Sequence, residues 1–187
     1  MSIIKMDEKF DHGPIISQFK EEIHNDDTSE ILYRRLFSKG AEVLTTILQA
    51  WVEGRIAPRQ QDHSQATLAP RLSRDDGYIP WALLEKALQG KNIPIENYPN
   101  KWKMADARLP DGQGKWPIVV ERATRALSPW PGVWTKVKVK SEEKRMKILS
   151  AHLNPKPNTL NPFLILDKIQ LEGKQPTKFS QLQASLA

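Results

Sequence analysis

The chain has 187 residues, 28 Lys and Arg against 22 Asp and Glu for a net charge of +6, and no cysteine. That length holds one large domain or two small ones, and the missing cysteines exclude disulfides, thiolate metal sites and cysteine nucleophiles. The basic balance favours an acidic partner, nucleic acid first, because no basic amphipathic helix of membrane type is present.

No apolar run approaches the roughly 18 residues of a membrane span, and the N-terminus lacks the pattern of a signal peptide. The chain therefore reads as soluble and cytoplasmic. His12, His24, His63 and His152 show no paired ligand spacing, so no metal is expected.

Ser2 to Lys5 reads as the end of a strand, Met6 to Gly13 as a loop carrying Asp7 and Asp11, and Pro14 to Phe19 as a second strand. In HNDDTSEILYRRLFSKG, Asp27 can cap a helix, with Glu30 closing a capping box and Gly40 stopping the helix. Val43, Leu44, Ile47, Leu48 and Trp51 then recur at helical spacing up to Gly54, which predicts a second helix. Both apolar stripes read as packing surface.

From Asp62 to Trp81 the chain reads DHSQATLAPRLSRDDGYIPW, without sustained period and broken by Pro70 and Pro80. This is a seam between a helical half and a strand-rich half. Beyond it, WALLEKAL (Trp81 to Leu88) predicts a short helix ended by Gly90, and Lys91 to Trp116 is too long for an ordinary connection and reads as an insertion. IVVERATRAL from Ile118 is helical, and Pro129, Pro131 and Gly132 make a rigid turn carrying Trp130 and Trp134, both read as core anchors.

Val137 and Val139 alternate with Lys136, Lys138 and Lys140; after a turn at Ser141 to Glu143, Arg145 and Lys147 alternate with Met146 and Ile148. The result is a hairpin with one apolar and one basic face. A loop from Asn154 to Pro162, a strand from Phe163 to Leu171 and a short helix in Lys178 to Leu186 follow, which fits a small antiparallel sheet or barrel.

Two features could carry chemistry. A loop carboxylate such as Asp7 or Asp11 is ordinarily just solvated, and acts as acid, base or electrostatic support only beside other groups. Lysines at strand period could follow a phosphate backbone. No nucleophile elbow, P-loop or dinucleotide glycine pattern is present.

Taken in order, MDEKFDHGPI, DDTSEILYRRLFSKGAEVL, QATLAPRLSRDDGYIPW, RALSPWPGVWT, KILSAH and LDKIQLEGKQP resemble the methionyl-tRNA formyltransferases over most of the chain outside the insertion. The resemblance is to the C-terminal portion of that family. It implies an α/β fragment, the end of a Rossmann-like formyltransferase domain in residues 1–60, an interdomain linker in 61–78, and an OB-like β-barrel domain in 79–187 with the insertion at about 89–117. The implied reaction transfers a formyl group from 10-formyltetrahydrofolate to the methionyl amino group of initiator tRNA in translation initiation.

By resemblance to the family's MDxGxDxG loop, Asp11 is the catalytic aspartate, orienting a histidine and a water and assisting proton transfer, and Gly13 is the glycine that follows it. His12 matches no catalytic position. The family's NxHxSLLP-like motif, normally upstream, is absent, so the chain reads as N-terminally truncated and inactive without a missing N-terminal catalytic segment. For tRNA contact the expectation is Arg71 and Arg74 in the linker, whose apolar residues pack along the catalytic domain, with Lys136, Lys138, Lys140, Arg145 and Lys147 on the hairpin. The alternative is a stand-alone basic tRNA- or RNA-binding module without catalysis. A 10-formyltetrahydrofolate-using transferase acting on a nucleotide sugar fits the PWPGVWT block and the barrel pattern less well.

Overall fold

The computed structural model describes residues 1–99, 102, 115–154 and 162–183, and divides into two units, Met1–Arg71 and Leu72–Ala187. In the first, β1 (Ser2–Ile4) and β2 (Ile15–Gln18) form an antiparallel ribbon, with Ser2 opposite Gln18 and Ile3 opposite Ser17. Arg59 extends it by exchanging two backbone hydrogen bonds of 2.8 Å with Ile15. The connecting loop closes tightly, because the Lys5 amide donates to the Pro14 carbonyl and a Cβ at Gly13 would lie 1.7 Å from the Lys5 oxygen.

The helical pattern yields one helix where two were expected, α1 (Ser29–Val52). Gly40 lies inside it, buried against Met1. An interior glycine costs a helix only about 1 kcal/mol relative to alanine, too little to break one whose apolar positions stay in phase on either side. The left-handed glycine is Gly54, with φ 71°.

The cap is also displaced by one residue. Thr28 Oγ1 accepts from the Ile31 amide at 3.2 Å, while Asp27, expected to cap, is buried and takes up the Arg35 guanidinium at 2.6 and 2.8 Å and the His24 amide at 2.8 Å. A buried carboxylate is better compensated by a two-pronged guanidinium than by helix amides. The apolar stripes are only partly packed: Tyr33 (59 % exposed) and Phe37 (53 %) stack on each other at 4.2 Å, and Leu44 and Leu48 lie open beside them.

Within the seam the backbone makes only 3-10 turns, at His63–Gln65 and Arg74–Gly77. Its apolar residues do not share the packing expected of them. Leu68 is 89 % exposed, whereas Ile79 is fully buried in the core of the second unit. The reason is local: Ile79 donates its amide to Trp134 and so is drawn in by the sheet, while nothing of the kind engages Leu68.

The second unit is built on a sheet in the order β3-β4-β5-β6, from β3 (Val133–Val139), β4 (Glu142–Leu153), β5 (Leu164–Leu171) and β6 (Thr177–Lys178). One face packs against α2 (Trp81–Leu88), α3 (Trp116–Ala126) and α4 (Phe179–Gln183) through a core that includes Leu84, Trp116, Val120, Met146, Ile169 and Phe179. Among the described residues the sheet is open and does not close into a barrel. The architecture is thus mixed α/β with two sheets.

Of the stretch read as an insertion, residues 100, 101 and 103–114 lie outside the described residues, as do 155–161 of the later loop and 184–186 of the final helix. The flanks of that stretch supply core aromatics. Trp102 donates its indole N–H to the Asp76 carbonyl, and Trp116, which opens α3, donates to the Leu83 carbonyl and packs beside Tyr98.

The hairpin turn falls at Lys140 and Ser141, both with positive φ (50° and 69°), rather than at Ser141 to Glu143. That is the two-residue mirror-image turn whose twist matches the flanking strands. The two turn tryptophans part company: Trp134 is buried and Trp130 is 55 % exposed. Trp134 sits on the same face of β3 as the exposed Lys136 and Lys138 and is covered there by Tyr78, Arg145 and its hydrogen bond to the Arg74 carbonyl, whereas Trp130 lies in the turn before the strand, between two cis prolyl bonds. At Gly77 the chain passes so close to that turn that a Cβ would lie 1.9 Å from the Gly132 oxygen.

Candidate functional site

Each unit presents one candidate surface. In the first, the loop between β1 and β2 holds Asp11 at φ 53°, a left-handed conformation that aspartate tolerates better than most residues. Asp11 is exposed and lines an open groove of about 980 Å³ together with His12, Arg59, Gln61, His63 and Leu68 among others.

The loop is fastened by side chains that no local pattern announces. His12 Nδ1 lies 2.7 Å from Asp7 Oδ2, and this hydrogen bond, with that from the Lys9 amide, holds the Asp7 carboxyl below its ordinary value. The His12 ring stacks on His63 at 3.8 Å and 4°. Gln61 Nε2 donates to the carbonyls of Asp11 (2.9 Å) and Gly13 (2.6 Å). The groove thus brings carboxylates and imidazoles together, the groups needed to hold a water or an amine and to pass a proton.

Sequence reasoning singled out Asp11 but left His12 without a role and missed Gln61 and His63. These last two are about 50 residues away in sequence, so only the fold joins them to the loop. His24, Asp26 and Asp27 also gather within 4.8 Å, but both Asp27 oxygens are already engaged by Arg35, and that cluster is accounted for by the ion pair.

In the second unit, Trp134, Lys136 and Lys138 share one face of β3, and their partners across the strand pair are Lys147, Arg145 and Glu143. Gln170 of β5 continues the row beside Lys147. Lys136 pairs with Glu143 at 2.8 Å, which raises the lysine pKa. Lys138 and Lys147 make no ion pair among the described residues. Lys140 sits in the turn rather than at an alternating strand position.

Arg145 lies over the Trp134 ring, and a hollow of about 220 Å³ opens beside it, lined by Arg145, Lys147, Gln170 and Glu172 among others. Arg74 joins this surface through its backbone, since its carbonyl accepts from Trp134 Nε1 at 2.9 Å. Arg71 is exposed and belongs to the first unit.

No protein-family model matches the chain. Individual proteins do. It is 29 % identical over 94 % of its length to a methionyl-tRNA formyltransferase of Roseiflexus castenholzii, covering 50 % of that protein. Proteins of the same name from Chloroflexus aurantiacus and Herpetosiphon aurantiacus are each 32 % identical, over 72 % and 81 % of the chain and 33 % and 38 % of their own lengths. The chain therefore spans half or less of these relatives. Among the described residues no helix is long and apolar enough to cross a membrane.

Proposed function

We propose that this chain, which belongs to the methionyl-tRNA formyltransferase family, serves in the transfer of a formyl group from 10-formyltetrahydrofolate to the methionyl amino group of initiator tRNA, in the cytoplasm. The observation that carries the reading is the Asp11 loop, a carboxylate held at the edge of a groove beside His12 and His63. In the proposed reaction the amine attacks the formyl carbon, the new N–C bond forms with loss of a proton from that nitrogen, and the donor N10 gains a proton as its bond to the formyl carbon breaks. Asp11 assists that proton movement. No metal is needed for any step.

The second unit is the proposed tRNA-binding part, a small OB-like domain entered through a linker at about 61–78. Arg74, Lys136, Lys138, Lys140, Arg145 and Lys147 are its proposed contacts, with Arg145 on its indole shelf and Lys138 and Lys147, which make no ion pair among the described residues, foremost; Arg71, in the first unit, is a further proposed contact. A further catalytic segment bearing an asparagine–histidine motif is proposed to complete the site. The names of the relatives favour the enzyme over a stand-alone RNA-binding module.

The test is formylation of charged initiator tRNA by the purified chain, alone and mixed with the part of the Roseiflexus protein outside the match. Formyl-methionine in the mixture and none without this chain is the expected result. A mixture that binds the tRNA but never formylates it would sink the enzymatic reading in favour of RNA binding alone.

A further inference from the structure

We propose that Gln61 is a positioning residue, which fixes the backbone of the Asp11 loop and thereby the direction of the Asp11 carboxylate. Its functional meaning rests on the reading of Asp11 as the catalytic carboxylate; its structural content stands on geometry alone.

One primary amide has two donated hydrogens, and Gln61 spends them on two carbonyls, those of Asp11 and Gly13, on either side of His12. The loop would otherwise turn these oxygens to water and leave Asp11 free to return to the right-handed conformations that most residues prefer. Gln61 is itself held from both sides. Two residues earlier, Arg59 exchanges two backbone hydrogen bonds with Ile15, and two residues later the His63 ring covers His12. Arg59 thus anchors the chain to β2, and Gln61 and His63, the latter opening a 3-10 turn, meet the loop.

On the other side of the turn, Asp7 holds His12 Nδ1 and the Lys9 amide. The loop is clamped at both ends of His12, and among the described residues Gln61 is the side chain that bonds to Asp11 itself. Glutamine suits the position because it is neutral and long. A glutamate there would bring an acceptor-only carboxylate against two carbonyl oxygens.

The experiment uses the full isotope-labelled chain as wild type and as Gln61→Met, which keeps length and removes the donor, and Gln61→Lys, which restores a donor. In wild type the backbone order parameters of Asp11, His12 and Gly13 are expected in the rigid range near 0.85, and in Gln61→Met below about 0.6. His12 ring protons should lose the displacement caused by the His63 ring, α1 resonances should stay in place, and Gln61→Lys should recover the loop signals. Should Gln61→Met unfold the first unit, Gln61→Asn makes the same comparison with the amide withdrawn by one methylene. Unchanged order parameters and unchanged His12 shifts in the donor-free variant overturn the proposal.

The formylation mixture supplies a separate arm. Gln61→Met should lower kcat roughly tenfold while KM for the tRNA stays within twofold, the pattern of an interaction made in the transition state. If Asp11→Asn leaves formylation untouched while Gln61→Met still loosens the loop, the catalytic reading of Asp11 fails and the clamp stands.

Discussion

The Arg145 guanidinium lies 4.8 Å from the centre of the Trp134 ring, diagonally across the β3–β4 pair, while Tyr78 packs against the same indole at 4.7 Å. Trp134 also donates its N–H to the Arg74 carbonyl. One side chain therefore supports a cation of the basic face and ties the end of the seam to the sheet.

Replacing it should be costly. Trp134→Ala is expected to destabilise the second unit by about 3–5 kcal/mol, the range for deleting a buried large aromatic. Trp134→Phe keeps a ring under Arg145 and loses the hydrogen bond to Arg74, and should cost less than half as much. Urea unfolding followed by circular dichroism reads both. Equal midpoints for the two variants would show that the ring, and not the indole N–H or its bulk, carries little of the stability assigned to it.

Gly13 is where the first unit can be tested without touching a charged group. A Cβ there would lie 1.7 Å from the Lys5 carbonyl oxygen, a backbone atom that cannot rotate away. Gly13→Ala should displace the loop and destabilise the unit by roughly 1–3 kcal/mol, as overpacking does. A denaturation midpoint like that of wild type would mean that the ribbon yields at no cost.

The Asp27–Arg35 pair predicts the acid limb of stability. The Arg35 guanidinium beside Asp27, together with the His24 amide, holds its carboxyl well below the usual aspartate value of about 3.9. With the folded pKa depressed, the pair's contribution is fully present above that usual value and is lost as pH falls through the folded one. Asp27→Asn should lower the melting temperature near pH 6 and narrow its gap from wild type as the pH drops below about 4. A gap that stays constant with pH would show that Asp27 acts by packing and not by charge.

How much of this was legible before the fold was known depended on range. The hairpin faces and the helix at Trp81 follow from local period, so Val137, Met146 and Ile148 could be assigned to the core from their neighbours alone. Gly40 misled because a helix-stop signal is also local, whereas continuity of the apolar phase across it decided the outcome. Asp27 misled for the opposite reason: its partner Arg35 lies eight residues on, and capping rules do not look that far. Gln61 and His63 could not be found at all from spacing, since a glutamine and a histidine in a proline-broken stretch acquire a role only when Arg59 pairs with Ile15 and brings them over Asp11 and His12.

Tyr33, Phe37, Leu44 and Leu48 form an open apolar strip along α1, and strips of that kind drive association. The isolated chain should self-associate in a concentration-dependent way, and Phe37→Glu with Leu44→Lys should shift it toward monomer without loss of helix. Sedimentation velocity measures this. A monomeric wild-type chain at high concentration would remove the strip as an association surface.

The basic face can be parsed by salt. Lys136 is bonded to Glu143 at 2.8 Å, whereas Lys138 and Lys147 make no ion pair among the described residues, so the three should not contribute alike if the face binds tRNA. Each lysine that neutralises a phosphate adds roughly 0.7–0.9 to the slope of log K against log salt. Lys138→Gln and Lys147→Gln together should therefore lower the slope by about 1.4–1.8 and weaken binding at low salt. Lys136→Gln removes a charge already partly cancelled and leaves Glu143 facing the RNA, so its effect should come mainly from repulsion, and Lys136→Gln with Glu143→Gln should restore much of the affinity. Equal losses for Lys136→Gln and Lys138→Gln, with no recovery in the double variant, would mean that the ion pair opens when RNA binds and that all three lysines reach phosphate.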